Sequence, residues 1–562
     1  MDRSGRILYT TGDMRAHEPD AGLGPTLVLP LVGLAVAIGA FFSLDALDHA
    51  LLFGDEFWGL LNLEKPYAAL IRSYDVLGNG AFLPVAQRLS IDLFGVELWA
   101  YRLPIFLGTL GTLLVLYPAA RRLVGEAAAV VATLALALNA IHIFYSGFSR
   151  PYSVATGLSV VLVWSLAEAV EREPPARRWY ALAGLCAGLI PWVHLTAAAL
   201  VLAVSGAAFA VLWRRDALRT HGPWLLGSLA GGAVLCAALL APAWSSLSLF
   251  VSDKAGRGDY GRFGPLDVVS LLAGSRALGL LWLAAVPASL VALAFARRSA
   301  AILLGAALFG QVAALFAVRP HGMTYAYARY LLPTLPFALM LIAWGVVQIP
   351  RLAGLRGATA NRLGLALGLC CVAASFRAGP LGAVGRNTGP FSNSYLSMMP
   401  LPAFDVPWPE APAFYHGLAG SEKPLTLIEA PAIFDRGMLL YRSYQRLHGQ
   451  DVIMGSPAGL LDALPDHAYA SLESSDFGRE SGADFLVVHR DLRAEAPAYW
   501  RFVYDEVWAG DEVPALRSLM ERQRQISLPL RRTPDDLIPR ARSRLGEPVY
   551  QDDKIVVWQL RR

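Results

Sequence analysis

Residues 180–213 read YALAGLCAGLIPWVHLTAAALVLAVSGAAFAVLW, and the number of helices in this run decides the topology of the chain. As one helix it would be about 50 Å long at 1.5 Å per residue, well beyond the ~30 Å hydrocarbon core of a bilayer. Pro191 lacks a backbone donor, and the polar His194 and Thr196 follow it near the middle of the run. The run is therefore read as two short spans, near 180–194 and 196–213. Outward from it, apolar stretches of spanning length recur near 25–45, 103–120, 127–145, 152–170, 223–243, 277–296, 299–318, 330–349 and 363–380. That makes eleven spans.

The arginines test this count. They cluster at Arg3, Arg6 and Arg15; Arg121 and Arg122; Arg172, Arg177 and Arg178; Arg214, Arg215 and Arg219; Arg297 and Arg298; and Arg351, Arg356 and Arg362. With eleven spans every cluster falls on one side, whereas ten would break the alternation. Positive charge marks the cytoplasm, so the N-terminus is expected inside and the residues after the last span outside. The four cysteines all sit in apolar segments, and no Asn-x-Ser/Thr sequon occurs. Both facts fit a bacterial inner (cytoplasmic) membrane.

Composition agrees. Of the 562 residues 55% are hydrophobic and 16% charged, with mean hydropathy +0.45, where an average soluble chain is about a quarter charged. Residues 1–380 hold 28 basic and 20 acidic side chains, and residues 381–562 hold 20 and 24. The charge density thus rises from an eighth to a quarter at the boundary. The net charge of +4 is too small to suggest nucleic acid. The expected architecture is a polytopic α-helical membrane domain over 1–380, carrying an amphipathic outer-face loop at about 46–102. A soluble extracytoplasmic α/β domain follows over 381–562, with strands at 425–429, 451–454, 484–488 and 554–560 and a helix from Ala432 to His448 ended by Gly449.

The sharpest chemical feature is Gly54-Asp55-Glu56-Phe57-Trp58, just after the first span. Adjacent carboxylates at a membrane face are costly unless solvated or used, and one of them can act as a general base; a solvated pair at a helix end is the plain alternative. Outer loops are usually poor in cations, yet Arg72, Arg88, Arg102, Arg150, Lys254, Arg257, Arg262, Arg276, Arg319 and Arg329 are all expected there. Arginine suits bidentate phosphate recognition, against which stands snorkelling or local ion pairing. His142, His194 and His321 lie near the outer ends of spans without the spacing of a zinc motif.

In order along the chain, these features resemble a family. The Asp-Glu pair is followed by Leu93-Phe-Gly-Val-Glu-Leu-Trp-Ala-Tyr-Arg102-Leu-Pro104 and then Tyr145-Ser-Gly-Phe-Ser-Arg-Pro-Tyr152. Next come Trp192-Val-His194 and Ala328-Arg-Tyr-Leu-Leu-Pro-Thr-Leu-Pro336. Together they resemble the GT-C membrane glycosyltransferases, in particular the bacterial branch akin to protein O-mannosyltransferases and aminoarabinose transferases, over residues 25–350. The resemblance implies a polyprenyl-phosphate-linked sugar donor and an outer-face acceptor that is a lipid, protein or polysaccharide. It casts Asp55 as the base or acceptor-orienting group, with Glu56 its neighbour, and Arg102 and Arg150 as motif arginines. Charge and position add Lys254, Arg257 and Arg329 to the donor phosphate site, and the motif residues Tyr152, His194 and Tyr330 are assigned to the substrate site.

Two departures bear on mechanism. Family members often have an acid before the Arg-x-Tyr of the second outer loop, where this chain has Gly147-Phe148-Ser149-Arg150. They also often have a His-Pro-Pro after the first-loop aspartate, where it has Asp75-Val-Leu-Gly-Asn-Gly-Ala-Phe-Leu-Pro84. No metal ligand set is evident, and a divalent metal cofactor stays open. So do two other readings, a transporter or flippase for a lipid-linked glycan and a catalytically inactive GT-C-like scaffold.

Overall fold

The computed structural model describes residues 23–48, 63, 65–72, 74, 80–95, 98–254, 265–318, 324–378, 410–421, 423–430, 439–453, 482–495 and 534–560. Seventeen helices come first: α1 Pro25–Asp48, α2 Tyr67–Arg72, α3 Phe82–Phe94, α4 Leu98–Val124, α5 Glu126–Ala137, α6 Ala140–Gly147, α7 Tyr152–Glu171, α8 Arg177–Val193, α9 Ala198–Arg214, α10 Leu218–Leu240, α11 Trp244–Lys254, α12 Pro265–Ala273, α13 Arg276–Ala296, α14 Arg298–Val318, α15 Thr324–Tyr330, α16 Leu335–Leu352 and α17 Gly357–Ala378. A mixed region follows: α18 Ala413–Leu418, β1 Thr426–Ala430, α19 Leu439–His448, β2 Asp451–Ile453, β3 Phe485–His489, α20 Leu492–Glu495, α21 Pro534–Leu545, β4 Tyr550–Gln551 and β5 Ile555–Gln559. The chain divides into two compact units. The first holds 1–43, 105–146 and 151–382, and the second holds 44–104, 147–150 and 383–562.

The protein is a multi-pass membrane protein. Among the described residues nine helices are long and apolar enough to cross a bilayer. The two other stretches read as spans are helical too. Residues 126–147 form a pair, α5 and α6, bent by 56°. Asn139 causes the bend: its side-chain oxygen accepts from the backbone N–H of Ile141 (3.1 Å) and His142 (3.2 Å), starting α6 afresh, while its amide donates to Leu272 O at 2.7 Å. The run 180–213 is indeed broken, but three residues after Pro191, which α8 retains. The break falls at His194, whose backbone is extended (φ −154°, ψ 103°), and a 3-10 turn at Leu195–Ala197 leads into α9. Pro191 sacrifices one hydrogen bond without ending the helix.

Within the first unit, small residues let helices approach. α8 and α10 meet through Gly184, Gly188, Ser228 and Gly232: a Cβ added at Gly188 would lie 2.6 Å from Gly232 O, and one at Gly232 would overlap Gly184 O. This small-xxx-small spacing gives backbone packing where lipid offers no hydrophobic driving force. Gly232→Leu is expected to destabilise the protein by ~1–3 kcal/mol through forced separation of the pair. Unfolding in detergent checks this against Gly231→Leu, where the added Cβ meets nothing within 4 Å; equal effects would refute the packing argument.

In the second unit, residues 410–560 build a five-stranded sheet of order β2-β1-β3-β5-β4. β1 is parallel to β2 and β3, and β5 is antiparallel to β3 and β4. Alternation along the strands sends Ile428, Ala430, Leu486, Val488, Val556 and Trp558 into one core with Leu537 and Ala541 of α21. The strands expected from sequence are all present, and β4 is additional. The helix ends at Gly449 as expected, in a left-handed turn (φ +68°) that suits glycine; its expected beginning lies outside the described residues.

Glu429 and His489 occupy the alternate positions of β1 and β3, on the face opposite that core. His489 Nε2 is 2.8 Å from Glu429 Oε2, and Nδ1 is 2.9 Å from Glu495 Oε2. Tyr415 donates to both oxygens of Glu429 (2.9 and 3.0 Å), and Tyr444 donates to Glu495 (3.3 Å). Glu429 and His489 are fully buried, and among the described residues these groups meet one another and tyrosine.

Candidate functional site

In the first unit Tyr145 of α6 lies close to the start of α7. Ser153 Oγ donates back to Tyr145 O at 3.1 Å, and the rings of Tyr145 and Tyr152 stand edge to face at 4.9 Å. Tyr152 in turn packs edge-on against His194 at 4.7 Å, and His194 lies 6.1 Å from the ring of Tyr330. Three residues singled out in the sequence from segments far apart, Tyr152, His194 and Tyr330, therefore form one aromatic row, buried at Tyr152 and His194 and half-buried at Tyr330. His194 is fixed by Thr196, whose Oγ1 is 2.6 Å from Nε2. At the far end Arg329 places its guanidinium 5.3 Å from the centre of the Tyr330 ring, within cation–π range.

Sequence reading missed Gln311 here. From α14 its amide donates to Thr196 O (2.8 Å) and Tyr330 O (3.2 Å). The signal was available: apart from Arg298 and Ser299 at its start, Gln311 is the only polar side chain of that helix, and polar groups inside a span are seldom idle.

In the second unit Arg102 and Arg150 are both buried, at 0% and 2% exposure. The segments that carry them are joined by a second glutamine. Gln87 of α3 donates through its amide to Tyr101 O (3.3 Å) and to Ser149 Oγ. Arg102 Nη1 donates to Leu47 O at 3.4 Å. α3 turns Leu83, Gln87 and Ser90 inward at i, i+4 and i+7, while Leu89, Leu93 and Phe94 are exposed. That is an amphipathic helix with amide and hydroxyl groups on its buried stripe. Ser90 ties it to the start of α4 through Ala100 O (2.6 Å).

The other cations divide. Arg88 pairs with Asp92 at 2.8 Å, and Tyr67 donates to the same carboxylate at 2.7 Å. The local ion pair therefore accounts for it. Lys254 ends α11. Asp55, Glu56, Asp75, Arg257, Arg262, Arg319 and His321 lie outside the described residues. His142 is buried with neither ring nitrogen hydrogen-bonded. Among the described residues no three His, Cys, Asp or Glu side chains converge so as to hold a metal ion.

Residues 81–244, which contain Gln87, Arg102, Arg150, Tyr152 and His194, match the family model of the dolichyl-phosphate-mannose-protein mannosyltransferases. The fold is similar to that of ArnT from Cupriavidus metallidurans in the apo state, with a TM-score of 0.53 at 14% identity, covering 95% of this chain and 98% of that one. It is likewise similar to the same protein bound to undecaprenyl phosphate, with a TM-score of 0.50 at 14% identity over 96% and 98% of the two chains. No curated protein matches the sequence. The chain therefore shares the fold of ArnT over nearly its whole length, and residues 81–244 match the mannosyltransferase family model.

Proposed function

We propose that the chain is a glycosyltransferase that moves a sugar from a polyprenyl-phosphate carrier to an acceptor at the extracytoplasmic face of a bacterial inner membrane. The observation that carries the reading is the burial of Arg102 and Arg150 on segments bracketed by Gln87. The planar fork of arginine suits a phosphate, and Gln87 ties together the two segments that carry these guanidinium groups. The undecaprenyl phosphate in the ArnT structure supports the choice of anion.

In this reading the acceptor's hydroxyl or amine forms a bond to the anomeric carbon as the bond from that carbon to the phosphate oxygen breaks. Polyprenyl phosphate leaves with the bonding electrons, and Asp55, beside Glu56, takes the acceptor's proton. Arg102, Arg150, Lys254, Arg257 and Arg329 stabilise charge developing on the leaving phosphate, the kind of term that commonly dominates such catalysis. Tyr152, His194 and Tyr330 hold the sugar or acceptor by stacking and hydrogen bonding. The N-terminus is cytoplasmic, residues 1–380 form the catalytic domain, and residues 381–562 form an extracytoplasmic domain.

Native mass spectrometry of the purified protein tests this. Wild type is expected to retain a polyprenyl phosphate or its glycoside, and the combined change of Arg257 and Arg329 to Ala to weaken retention at least about tenfold, the effect of losing charge-assisted hydrogen bonds. Binding of bulk phospholipid alone, equal in both proteins, would reduce the arginines to interfacial anchors and overturn the donor assignment.

A further inference from the structure

Gln311 is completely buried within a helix that is otherwise apolar beyond its first turn. A primary amide at such a position is expensive unless its hydrogen bonds are made. Neither donor bond serves its own helix. Both go to main-chain carbonyls where helices are interrupted: Thr196 O in the 3-10 turn after His194, and Tyr330 O at the last residue of α15. Carbonyls at such interruptions lack intrahelical partners, and one side chain satisfies the two. Close packing puts it within reach. The neighbouring Gly310 presses α14 against α9 so tightly that an added Cβ would overlap that of Ala203.

Each carbonyl belongs to a residue whose own side chain meets His194. Thr196 orients His194 through its hydroxyl, and Tyr330 is both the ring facing His194 and the neighbour of Arg329. A single amide thus bridges the segment that holds the imidazole, in the middle of the aromatic row, and the segment that carries the guanidinium at its end. Among the described residues its Oε1 is buried without a hydrogen-bond partner, and the two donor bonds hold the amide.

We infer that Gln311 is a positioning residue that sets His194 against the Arg329–Tyr330 pair, and thereby the preference of the site for a phosphate-bearing lipid over the same lipid without phosphate. The inference rests on the donor reading above, in which Arg329 meets the phosphate. Leucine at this position matches the volume roughly and makes neither bond. Asparagine keeps the donors but is shorter by one methylene.

The test uses the full-length protein in detergent, titrated with undecaprenyl phosphate and separately with undecaprenol, with binding read by native mass spectrometry. In Gln311→Leu the affinity for undecaprenyl phosphate is expected to fall about tenfold, with that for undecaprenol unchanged within about twofold. Gln311→Asn is expected to fall between wild type and Gln311→Leu, and it carries the same test if the leucine variant does not assemble. A merely structural role would lower both affinities together, and the ratio would stay at the wild-type value; that result, or full selectivity in both variants, overturns the inference. Absence of any phosphate preference in wild type would instead overturn the donor reading, and this inference with it.

Discussion

Asp55→Asn is expected to lower sugar transfer by about 10²–10⁴-fold, the range in which positioned general bases contribute, while leaving retention of the donor lipid intact. Asparagine preserves the size and most hydrogen bonds of the carboxylate but accepts no proton. The loss should therefore appear in turnover rather than in donor affinity. Glu56→Gln provides the internal comparison, since the two carboxylates are adjacent and only one of them needs to reach the acceptor. Release of polyprenyl phosphate from a glycosylated donor is the quantity to follow, by mass. Equal release by wild type and both variants would eliminate the first-loop acids as bases. Absence of release from wild type, together with movement of intact donor across proteoliposomes, would favour the transporter reading. The chain lacks the acid that relatives often carry before Arg150, so the burden on Asp55 is correspondingly greater.

Much of this architecture is legible in the sequence because membrane insertion imposes a length and a composition on every span. All eleven stretches marked by hydropathy are helical. The site is legible in a different way. His194 stood out near the outer end of a span, and Tyr152 and Tyr330 within the stretches that carry the resemblance; the fold puts the His194 ring 4.7 Å from that of Tyr152 and 6.1 Å from that of Tyr330. What could not be read is which polar residues serve each other. Arg88 looks like any other outer-loop cation until Asp92, one helical turn on, is seen to hold it. Gln87 and Gln311 carry no charge and match no motif, yet each spends its amide on two segments distant in sequence. Hydropathy locates such residues inside apolar or amphipathic helices, but only tertiary structure gives them partners. The Glu429–His489–Glu495 cluster was invisible for a related reason. Strand alternation places Glu429 and His489 on one face, but nothing local in the sequence sets β1 beside β3.

That cluster yields the largest expected effect on stability. Burial alone would keep the His489 imidazole neutral, but the carboxylates of Glu495 and Glu429 outweigh it and push its pKa up to about 10. Glu429 faces it from β1, Glu495 from α20, Tyr415 from α18, and Tyr441 and Tyr444 from α19. Burial, with Glu429 beside it, likewise raises Tyr415 well above its ordinary range, so its hydroxyl remains a donor as the pH rises. An imidazole whose folded pKa lies above its unfolded value of about 6.5 contributes stability that is complete below pH ~6.5. That contribution is lost as pH climbs towards 10. Hydrogen exchange of the full-length protein should therefore show protection of Thr426–Ala430 and Phe485–His489 declining across this alkaline window once intrinsic exchange rates are allowed for. His489→Leu leaves two buried carboxylates facing each other without their cation, and is expected to remove ~3–5 kcal/mol at neutral pH, the cost typical of orphaning a buried charge. Adding Glu429→Gln and Glu495→Gln to it takes away the repulsion, and protection should recover in part, because the penalty resides in the unpaired charges and not in the missing ring. Were His489→Leu as well protected as wild type, or the triple variant no better than the single one, the imidazolium would have no role in holding β1 against β3.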